Sequence, residues 1–589
     1  MTGDNNGRWN SAKDPKANDW PLDHSLYLSC AADVMRMLRN HPSLLFWCGG
    51  NELLPPKNAA GWQLNLIDHK LRDMVADIDP HRFYVSDPKP LCHLFVRTMG
   101  VALIGSIEQI PSSMGSYDPR HNNNTFALAP SDGPYNVLDE QQYFQPGAGG
   151  HVNAGGEPGS GIVFQPETGN FATPPYASLH RFLSPDVVAD FPKRGADPEG
   201  HVNGSNAIWN YHKYITTTEK AAVAHEQMSA ALASPAATAE GKYDHVYMYG
   251  EPADTEAYCK RAQLALFAQY KALFEGYLEH MFAKQIGKQF GYTAVIFWKS
   301  QSPWPSLRGA LYDSYLATTG GFWGARAALA QPVHVQMNAH TQTLTVVNLR
   351  PQPTPPLTVR VKAYTLPEGK ELPVDPEGSQ GSISVAPVPA VSRRQLLLHK
   401  LPWPADLPAD AVVLYRLELY EDTPTPAAVG GAAPLPLSSN TYWRSRPDVH
   451  QDYSSLASCE YTSAQGQGKA VSVSVSASPV GGSGPSEVQY AVRLKNTGSA
   501  VAFGVWLEVH NATAPDRAAA AADGSWSETR LLPAWFGDNL LALLPGEEVA
   551  VSLRVGQAAM QSGQHEVRIA GWNVAPKHAA LPPPNHRWI

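Results

Sequence analysis

Two glutamates each come after a short apolar segment, and their residue type suits acid–base or nucleophilic chemistry. Glu52 ends the sequence W-C-G-G-N-E after the apolar segment 43–48, and Glu167 directly follows G-I-V-F-Q-P. If both segments are strands of one barrel, the two side chains lie near the strand ends where barrel substrates bind. Hydrolysis of a glycosidic bond needs two carboxyl groups, one that protonates the leaving oxygen and one that attacks the sugar or activates water. The two residues are therefore a candidate pair for glycoside hydrolysis.

Each candidate residue also has a structural explanation. An Asn-Glu pair after a strand often caps a helix or lies in a solvated turn, and a glutamate such as Glu167 can stabilise the start of a following helix. Trp298 ends the apolar run I-F-W, and Trp304 follows in K-S-Q-S-P-W-P. Such rings near a barrel rim either stack on a sugar or pack against the barrel lip. From the residues alone, both interpretations stay open at these positions.

The composition excludes several other classes of function. The 589 residues carry a formal net charge of -8 without long blocks of one sign, so no nucleic-acid partner is expected. The cysteines number 5 and include no C-x-x-C pair, so neither a disulfide framework nor a zinc site is predicted. His225-Glu226 resembles the start of a zinc-protease motif, but Ser229 replaces the second histidine. Neither a signal peptide nor a membrane span is predicted, and compartment and oligomeric state are not indicated.

The two glutamates fall in the part of the chain that alternates helical and strand-like segments. Residues 1–330 show this alternation, whereas the rest has a period of two, so the predicted fold is multidomain, α/β followed by all-β. Helices are predicted at 26–39, 65–78 and 255–289, and buried strands at 43–48, 82–86, 161–165 and 292–298.

The all-β part divides into two predicted immunoglobulin-like β-sandwiches. Alternating segments begin at Val333 and are separated by Pro-rich turns, which gives a first sandwich at 331–421. A Pro-, Ala- and Gly-rich linker is predicted at 422–437. The alternation resumes in V-S-V-S-V-S-A and V-Q-Y-A-V-R-L, which gives a second sandwich at 438–589. Because alternation alone indicates no chemistry, we expect the active residues in 1–330.

The sequence around Glu52 resembles a known family. H-P-S-L-L-F-W-C-G-G-N-E at 41–52 is similar to the acid/base motif of glycoside hydrolase family 2, and within that family to the plant endo-β-mannosidases. Exo-β-D-glucosaminidases of the same family are the nearest alternative. The resemblance covers nearly the whole chain, and it continues through D-G-P-Y at 132–135, F-Q-P-E-T-G at 164–169, W-N-Y-H-K-Y at 209–214, W-K-S-Q-S-P-W-P-S-L-R-G-A-L-Y-D-S-Y-L at 298–316, L-K-N-T-G-S-A-V-A-F at 494–503, L-L-P-G-E at 543–547 and A-G-W-N at 570–573.

The resemblance implies a role for four residues. Glu52 corresponds to the general acid/base and Glu167 to the nucleophile that forms a glycosyl-enzyme. Asn51 would hydrogen-bond the sugar 2-hydroxyl, and Trp298 would line the subsite that holds the reacting sugar. These roles imply a retaining glycosidase that needs neither a metal nor an organic cofactor.

The substrate is also implied by the resemblance. The expected reaction is cleavage of the Manβ1-4GlcNAc linkage in N-glycan cores, on an oligosaccharide or glycopeptide. Tyr135 and Trp304 lie in matching motifs and are further candidates for substrate binding. The alternatives are an exo-β-D-glucosaminidase, an exo-β-mannosidase or a carbohydrate-binding protein without activity.

The resemblance also implies that the start of the family pattern is missing. Family members carry two β-domains and the first barrel strands before the helix that here begins near Leu26. Residues 1–330 are therefore predicted to form a partial (β/α)8 TIM barrel that lacks its first strands. Because an open barrel leaves unpaired apolar edges, we expect the sequence to be an incomplete gene model or a fragment, and such a fragment to be unstable alone. A Gly-rich insertion at 146–161 would lengthen the approach to Glu167.

Overall fold

A computed structural model of the chain describes residues 23–42, 44, 46–48, 66–85, 140–144, 164–168, 173–191, 207–212, 245–281, 294–297, 300–301, 304–307, 311–374, 381–401, 403–404, 406–422, 435–446, 451–461, 470–480, 486–512, 528–560 and 563–583. Contacts divide the chain into two compact units. The first unit comprises Met1–Gly133, His151–Thr168 and Ala283–Phe297, and the second comprises Pro134–Gly150, Gly169–Phe282 and Trp298–Ile589.

In the first unit, two amphipathic helices share one apolar core. Helix α1 (His24–Leu38) begins two residues before the predicted helix because Asp23 accepts a hydrogen bond from Leu26 N at 2.8 Å as its N-cap. Helix α2 (Leu66–Ile78) agrees closely with the predicted one. The buried core side chains recur at helical spacing. They are Ala32, Met35, Ile67, Leu71, Val75 and Ile78.

The strands of the first unit form two parallel pairs. Strand β1 (Phe46–Cys48) pairs with β2 (Phe83–Val85), and β3 (Phe164–Thr168) pairs with β4 (Ala294–Phe297). Parallel pairing agrees with the predicted α/β class. A closed barrel is not seen among the residues that the structure describes, so the (β/α)8 barrel stays a prediction.

A buried carboxylate ties β1 to the end of α2. Asp79 accepts hydrogen bonds from Trp47 Nε1 at 2.8 Å and from Arg82 Nη1 at 2.9 Å. Arg82 in turn donates from Nε to Leu44 O at 2.7 Å. Burial opposes ionisation of Asp79, but the hydrogen bonds from Trp47 and Arg82 outweigh it and lower the pKa of this carboxyl. The Asp79 carboxylate therefore stabilises this corner of the unit in its charged form.

The second unit contains one long helix with shorter helices around it. The described α-helices of this unit are α3 (Tyr176–Leu179), α4 (Pro185–Ala189), α5 (Ala207–Tyr211), α6 (Thr255–Met281) and α7 (Gly320–Leu329), with 3-10 helices at Glu140–Phe144, Ser454–Cys459 and Gln557–Met560. Helix α6 confirms the predicted start at Thr255, and the predicted continuation to 289 lies outside the described residues. No helix in the described part of the chain is long and apolar enough to span a membrane.

Helices α6 and α7 touch through their backbones. A Cβ atom at Gly320 would lie 2.0 Å from Gln263 O, and one at Gly324 would lie 2.1 Å from Phe267 O. The two glycines are one turn apart on α7 and face residues one turn apart on α6. The Gln263 side chain also accepts a hydrogen bond from Gly320 N at 2.7 Å, at the start of α7. The crossing therefore leaves no room for a side chain on this face of α7.

The first β-sandwich lies in the second unit, and residues of two sheets form its core. Its strands are β5 (Val333–Met337), β6 (Thr343–Asn348), β7 (Leu357–Leu366), β8 (Glu371–Leu372), β9 (Ser382–Val385), β10 (Ser392–Lys400), β11 (Val412–Glu421) and β12 (Ser438–Arg444). One sheet has the order β10-β6-β5, and the other has the order β12-β11-β7-β8 with β9 on β7. Buried Val335 and Leu344 of the first sheet share a core with Val359 and Val413 of the second.

The predicted start of the second sandwich, at residue 438, is wrong. Strand β12 pairs with β11 along Val413↔Arg444 to Leu419↔Ser438. Residues 438–444 therefore belong to the first sandwich, although the end of the predicted linker at 437 had placed them in the second. Long-range pairing decides this boundary, and a composition shift does not encode it. Most of the predicted linker, 423–434, lies outside the described residues.

The second β-sandwich follows the same plan. Its strands are β13 (Val473–Pro479), β14 (Glu487–Asn496), β15 (Ala502–Asn511), β16 (Ala534–Phe536), β17 (Leu541–Leu543), β18 (Glu548–Gly556), β19 (His565–Ala570) and β20 (Lys577–Leu581). The two sheets have the orders β13-β14-β18-β16 and β17-β15-β19-β20. The predicted alternation is seen in β14, where Val488, Tyr490, Val492 and Leu494 are buried. An ion pair at 2.9 Å between Arg416 and Glu547 joins the two sandwiches.

Helix α6 carries buried charges that the first sandwich neutralises. Glu275 accepts hydrogen bonds from Asn440 Nδ2 at 2.8 Å and from Tyr442 Oη at 2.9 Å. One turn later, Glu279 forms an ion pair with Arg393. Although these two carboxylates are close in sequence, their oxygens are taken up by sandwich donors, so we assign them a structural role.

The other end of α6 is held by the second sandwich and the segment before it. Arg261 Nη2 lies 2.7 Å from Glu460 Oε2, and the guanidinium lies 5.0 Å from the centroid of a Trp572 ring. Arg261 Nε also donates to Gly250 O at 2.9 Å. The second sandwich therefore contacts the helix through the Trp572 ring, and the segment before it contacts the helix through the paired charge of Glu460.

Lys271 is a buried cation between α6 and β12. Its Nζ donates to Thr441 O at 2.6 Å, lies 3.9 Å from Glu275 Oε1 and lies 3.3 Å from the centroid of the Tyr442 ring. Burial lowers the pKa of Lys271 to about 8, against the opposing charges of Glu275 and Glu140. Keeping this ammonium charged in the folded protein therefore costs stability.

Substitution Gly324→Ala should destabilise the second unit. Overpacking costs about 1–3 kcal/mol, and the gain of about 1 kcal/mol in helix propensity does not offset a backbone contact, so we expect a net loss of about 2 kcal/mol. Thermal unfolding followed by circular dichroism measures the change. The control is Gly556→Ala, because no atom lies within 4 Å of an added Cβ there. Equal melting temperatures for the two variants would refute the close crossing.

Lys271 should make folding more favourable as the pH rises. The folded-state pKa of about 8 lies below the unfolded value of 10.5, so the destabilisation is complete below pH 8 and disappears between pH 8 and 10.5. Between pH 8 and 9 we expect the parent protein to gain about 1 kcal/mol relative to Lys271→Met. Urea denaturation at both pH values gives this difference, and parallel pH dependences of the two proteins would contradict it.

Candidate active site

Glu167 lies inside a strand and not after it. The predicted strand ended at Gln165, but β3 extends to Thr168 and includes Pro166 and Glu167. The reason is register, because Thr168 pairs with Phe297 of β4, with an irregularity between Gln165 and Thr168. An apolar pattern cannot reveal this pairing. The backbone of Glu167 is thus placed one residue from the carboxyl end of a parallel strand, the edge at which barrel enzymes bind substrates.

The other predicted catalytic and substrate residues of this region cannot be placed in the same way. Asn51, Glu52, Tyr135 and Trp298 lie outside the described residues. Strand β1 ends at Cys48, four positions before Glu52, and strand β4 ends directly before Trp298. The distance between the two glutamates and the roles assigned to them therefore stay predictions.

Trp304 is placed by the structure, and two aromatic neighbours surround it. Its ring stacks on His212 with centroids 5.5 Å apart, and Tyr211 meets it edge-on with centroids 6.0 Å apart. Trp304 is half-buried, whereas Tyr211 is 71% exposed. The three rings form a partly open aromatic cluster of the kind that can present an apolar face to a sugar.

Backbone contacts hold Trp304 against the end of α5. His212 Nδ1 forms a hydrogen bond with Pro305 O at 2.6 Å, and Leu307 N donates to His212 O at 2.7 Å. The motif W-N-Y-H-K-Y is part of the family resemblance, but the resemblance predicted no role for Tyr211 or His212. The aromatic residues concentrated in this motif were the one signal in the sequence that could have pointed to the cluster. The sequence does not show that they pack on Trp304, because Trp304 is about 90 positions away.

Further rings continue the cluster beyond His212. Phe182 lies 4.7 Å from His212 and 6.4 Å from Tyr315, measured between ring centroids. The Arg181 guanidinium lies 3.7 Å from the centroid of the Tyr315 ring. We call the five rings Tyr315, Phe182, His212, Trp304 and Tyr211 the ring row.

Asp313 shapes the loop that carries Tyr315. Its Oδ1 accepts hydrogen bonds from Tyr315 N at 2.8 Å and Ala317 N at 2.9 Å, and its Oδ2 accepts one from Ser178 Oγ. Burial raises the pKa of Asp313 in spite of these hydrogen bonds and the nearby charge of Arg530. Leu316 has a φ of 69°, a left-handed conformation that the Asp313 hydrogen bonds on either side help to hold.

The described part of the chain contains no candidate metal site. No group of three or more His, Cys, Asp or Glu side chains there could hold a metal ion. The metal-free mechanism implied by the resemblance stays a prediction.

Comparisons with known proteins agree on one family. Residues 442–574 match the model of the exo-β-D-glucosaminidase Ig-fold domain. The chain is 28% identical over 625 residues to the mannosylglycoprotein endo-β-mannosidase of Lilium longiflorum, a match that covers 99% of this chain and 57% of that protein. It is 30% identical over 336 residues to the exo-β-D-glucosaminidase of Streptomyces avermitilis, which covers 56% of this chain and 33% of that protein.

A solved structure supports the same relationship at the level of the fold. The exo-chitosanase of Amycolatopsis orientalis superposes with a TM-score of 0.60 at 19% identity, covering 95% of this chain and 54% of that one. The chain thus spans 57% of the lily protein and 54% of the solved one, a little over half of each. The sequence motifs, the domain match and the fold therefore point to the same group of enzymes, and the chain is similar to the glycosidases of glycoside hydrolase family 2.

Proposed function

We propose that this chain carries the catalytic glutamates of a retaining β-glycosidase that cleaves the Manβ1-4GlcNAc linkage of N-glycan cores. The observation that carries the proposal is the pairing of β3 with β4. It puts the backbone of Glu167 near the carboxyl end of one parallel strand, beside the strand that leads into Trp298. The match to the lily endo-β-mannosidase along 99% of the chain favours this substrate.

In the proposed mechanism the two glutamates act on opposite sides of one bond. Their carboxyl groups would lie about 5–5.5 Å apart, so that Glu167 attacks the anomeric carbon while Glu52 protonates the leaving oxygen. Water deprotonated by Glu52 then releases the sugar from Glu167 with net retention. The double role of Glu52 requires a pKa near neutrality, which falls when the charge on Glu167 is consumed in the glycosyl-enzyme. Asn51 would bind the 2-hydroxyl, and Trp298 would line the reacting subsite.

The proposal includes the architecture that brings the glutamates together. Residues 1–330 would form part of a (β/α)8 barrel, with one immunoglobulin-like sandwich after it and a second at the C-terminal end. Two parallel strand pairs and the buried cores of both sandwiches support this arrangement.

An exo-β-D-glucosaminidase is the second candidate. It is favoured by the domain match at 442–574 and by the Streptomyces relative at 30% identity. Both candidates share the two glutamates and differ in the sugar that the pocket accepts. Tyr135 and Trp304 are proposed to contribute to that choice.

In the full-length protein, substitution Glu167→Gln should remove turnover and leave folding intact. Loss of a nucleophile lowers kcat by roughly 10³-fold or more, because the amide cannot form the glycosyl-enzyme. The rate of release of mannose-containing product from a mannosylated chitobiose glycopeptide measures the loss. The control is Glu548→Gln, an exposed glutamate of β18 that pairs with Arg493 and Lys495. A Glu167→Gln protein as active as this control would remove Glu167 from the mechanism.

The choice of substrate can be tested on the same protein. We expect hydrolysis of mannosylated chitobiose glycopeptides and much slower hydrolysis of chitosan oligomers, since the proposed pocket binds a mannosyl 2-hydroxyl through Asn51. Product analysis by chromatography compares the two initial rates. The reverse preference would establish the exo-β-D-glucosaminidase, and glycan binding without any hydrolysis would support a carbohydrate-binding protein.

A further inference from the structure

A cluster of charged and polar side chains, centred on the buried Arg530, joins the second sandwich to the loop that carries Tyr315. We call it the Arg530 cluster, and its members are Ser178, Arg181, Asp313, Glu528 and Arg530. Glu528 and Arg530 precede β16 in the second sandwich, whereas Ser178 lies in α3, and Arg181 and Asp313 lie between α3 and α7 in the sequence. The cluster therefore connects residues from distant parts of the chain.

Arg530 is the centre of the cluster. Its side chain is 1% exposed. It donates two hydrogen bonds to the Glu528 carboxylate, from Nη2 at 2.7 Å and from Nε at 2.9 Å. Burial would raise the pKa of Glu528, but the hydrogen bonds and charge of Arg530 outweigh it and lower that pKa. A two-point contact between a planar guanidinium and a carboxylate fixes direction as well as distance.

One arm of the cluster reaches the backbone of the loop. Arg530 Nη2 donates to Ser178 Oγ at 3.0 Å, and Ser178 donates to Asp313. Asp313 then accepts hydrogen bonds from Tyr315 N and Ala317 N. Because Ser178 is fully buried, water cannot replace it as the link.

The other arm reaches the ring of the same tyrosine. Glu528 Oε2 lies 3.7 Å from Arg181 Nη1, and the Arg181 guanidinium lies 3.7 Å from the centroid of the Tyr315 ring. Arg181 is 34% exposed, so an anionic partner is needed to keep it over the ring. Glu528 thus acts on Tyr315 through both arms, by way of Arg530 and by way of Arg181.

Tyr315 is one end of the ring row, and Tyr211 is the open end. Contacts between successive rings lead from Tyr315 through Phe182 and His212 to Trp304. Since packed rings move together more easily than apart, a displacement of Tyr315 changes the support under Trp304.

A buried ion pair contributes little net stability compared with apolar residues of similar size, but it fixes geometry. The second sandwich contains another pair of this kind, Glu566 and Arg568 on β19, whose Nε-to-Oε1 contact of 2.5 Å joins two residues of one strand. That pair provides a matched control.

We propose that Glu528 and Arg530 of the second sandwich are positioning residues for a sugar-binding surface, the Trp304 end of the ring row. The ligand is a pyranose ring of the oligosaccharide outside the reacting subsite, stacked on Trp304 and Tyr211. This inference rests on the proposed glycosidase function and extends it, because a domain remote in sequence from the catalytic glutamates would then set substrate affinity.

The first test measures binding without turnover. In a Glu167→Gln background, Glu528→Gln should raise the Kd of a mannosylated chitobiose glycopeptide about fivefold, the size of effect expected from weakening one aromatic contact. Ser178→Ala should also raise the Kd. Arg530→Lys keeps the charge but loses the two-point hydrogen bond to Glu528, so its Kd should lie between those of the parent and Glu528→Gln. Glu566→Gln should leave Kd unchanged. Isothermal titration calorimetry gives these values.

The second test separates positioning from general destabilisation. With Glu167 intact, Glu528→Gln should raise KM by the same factor and leave kcat within about twofold. The reason is that the substitution weakens binding of the ground state and of the transition state equally. A fall in kcat at unchanged KM would overturn the positioning role. A change in Kd and KM no larger than that of Glu566→Gln would overturn the inference while leaving the proposed function untouched.

Hydrogen exchange gives a readout that needs no glycan. Amides in 311–319 should exchange faster in Glu528→Gln and Ser178→Ala, while those of β19 keep their rates. Unchanged exchange in 311–319 would refute the link through Ser178. Weakened glycan binding by these variants, combined with no hydrolysis by the full-length parent protein, would refute the proposed glycosidase function and support only the positioning of a sugar-binding surface by Glu528 and Ser178.

Discussion

Burial of helix α6 is the constraint on which the second unit depends. A helix with buried charges is stable only if each charge meets a partner, because an unpaired buried ion costs several kcal/mol. Glu275 and Glu279 find theirs in the first sandwich, and Arg261 finds Glu460 beyond it. Lys271 is the exception, since its contacts do not fully compensate for burial and its pKa falls to about 8. The first sandwich therefore supplies a counterion and neutral hydrogen-bond donors to the helix, and the segment before the second sandwich supplies another counterion.

This constraint explains why the second unit combines all-β domains with helices in one packed body. The glycines of α7 let it approach α6 until backbone touches backbone. On other faces, α6 contacts strand ends and the segment before β13, so most of its side chains are buried. The ring row and the Arg530 cluster follow the same rule on a smaller scale. Each pairs a residue of the helical region with one from a sandwich or a distant loop, and neither could form within one element.

Local patterns allowed much of the fold to be predicted, and long-range pairing accounts for the rest. Helices α1, α2 and α6 and several sandwich strands follow from apolar periodicity, because the spacing of apolar residues along the sequence shows which face is buried. The inclusion of Glu167 in β3 depends on its register with β4, and the place of Ser438 depends on pairing with β11. Trp304 was found from its motif, whereas its partners were not, since stacking between residues far apart leaves no local pattern. Glu52 stays a prediction from the family resemblance.

The Arg530 cluster has a consequence for biosynthesis. Ser178 and Arg530 are separated by 352 positions, so the ribosome must translate most of the chain before their hydrogen bond can form. At about 5–20 residues per second this delay is roughly 20–70 s. During that interval Asp313 and Ser178 lack the guanidinium that later links them to the second sandwich. A nascent chain can therefore acquire its helices early, but its aromatic surface takes its final shape only when the last domain emerges.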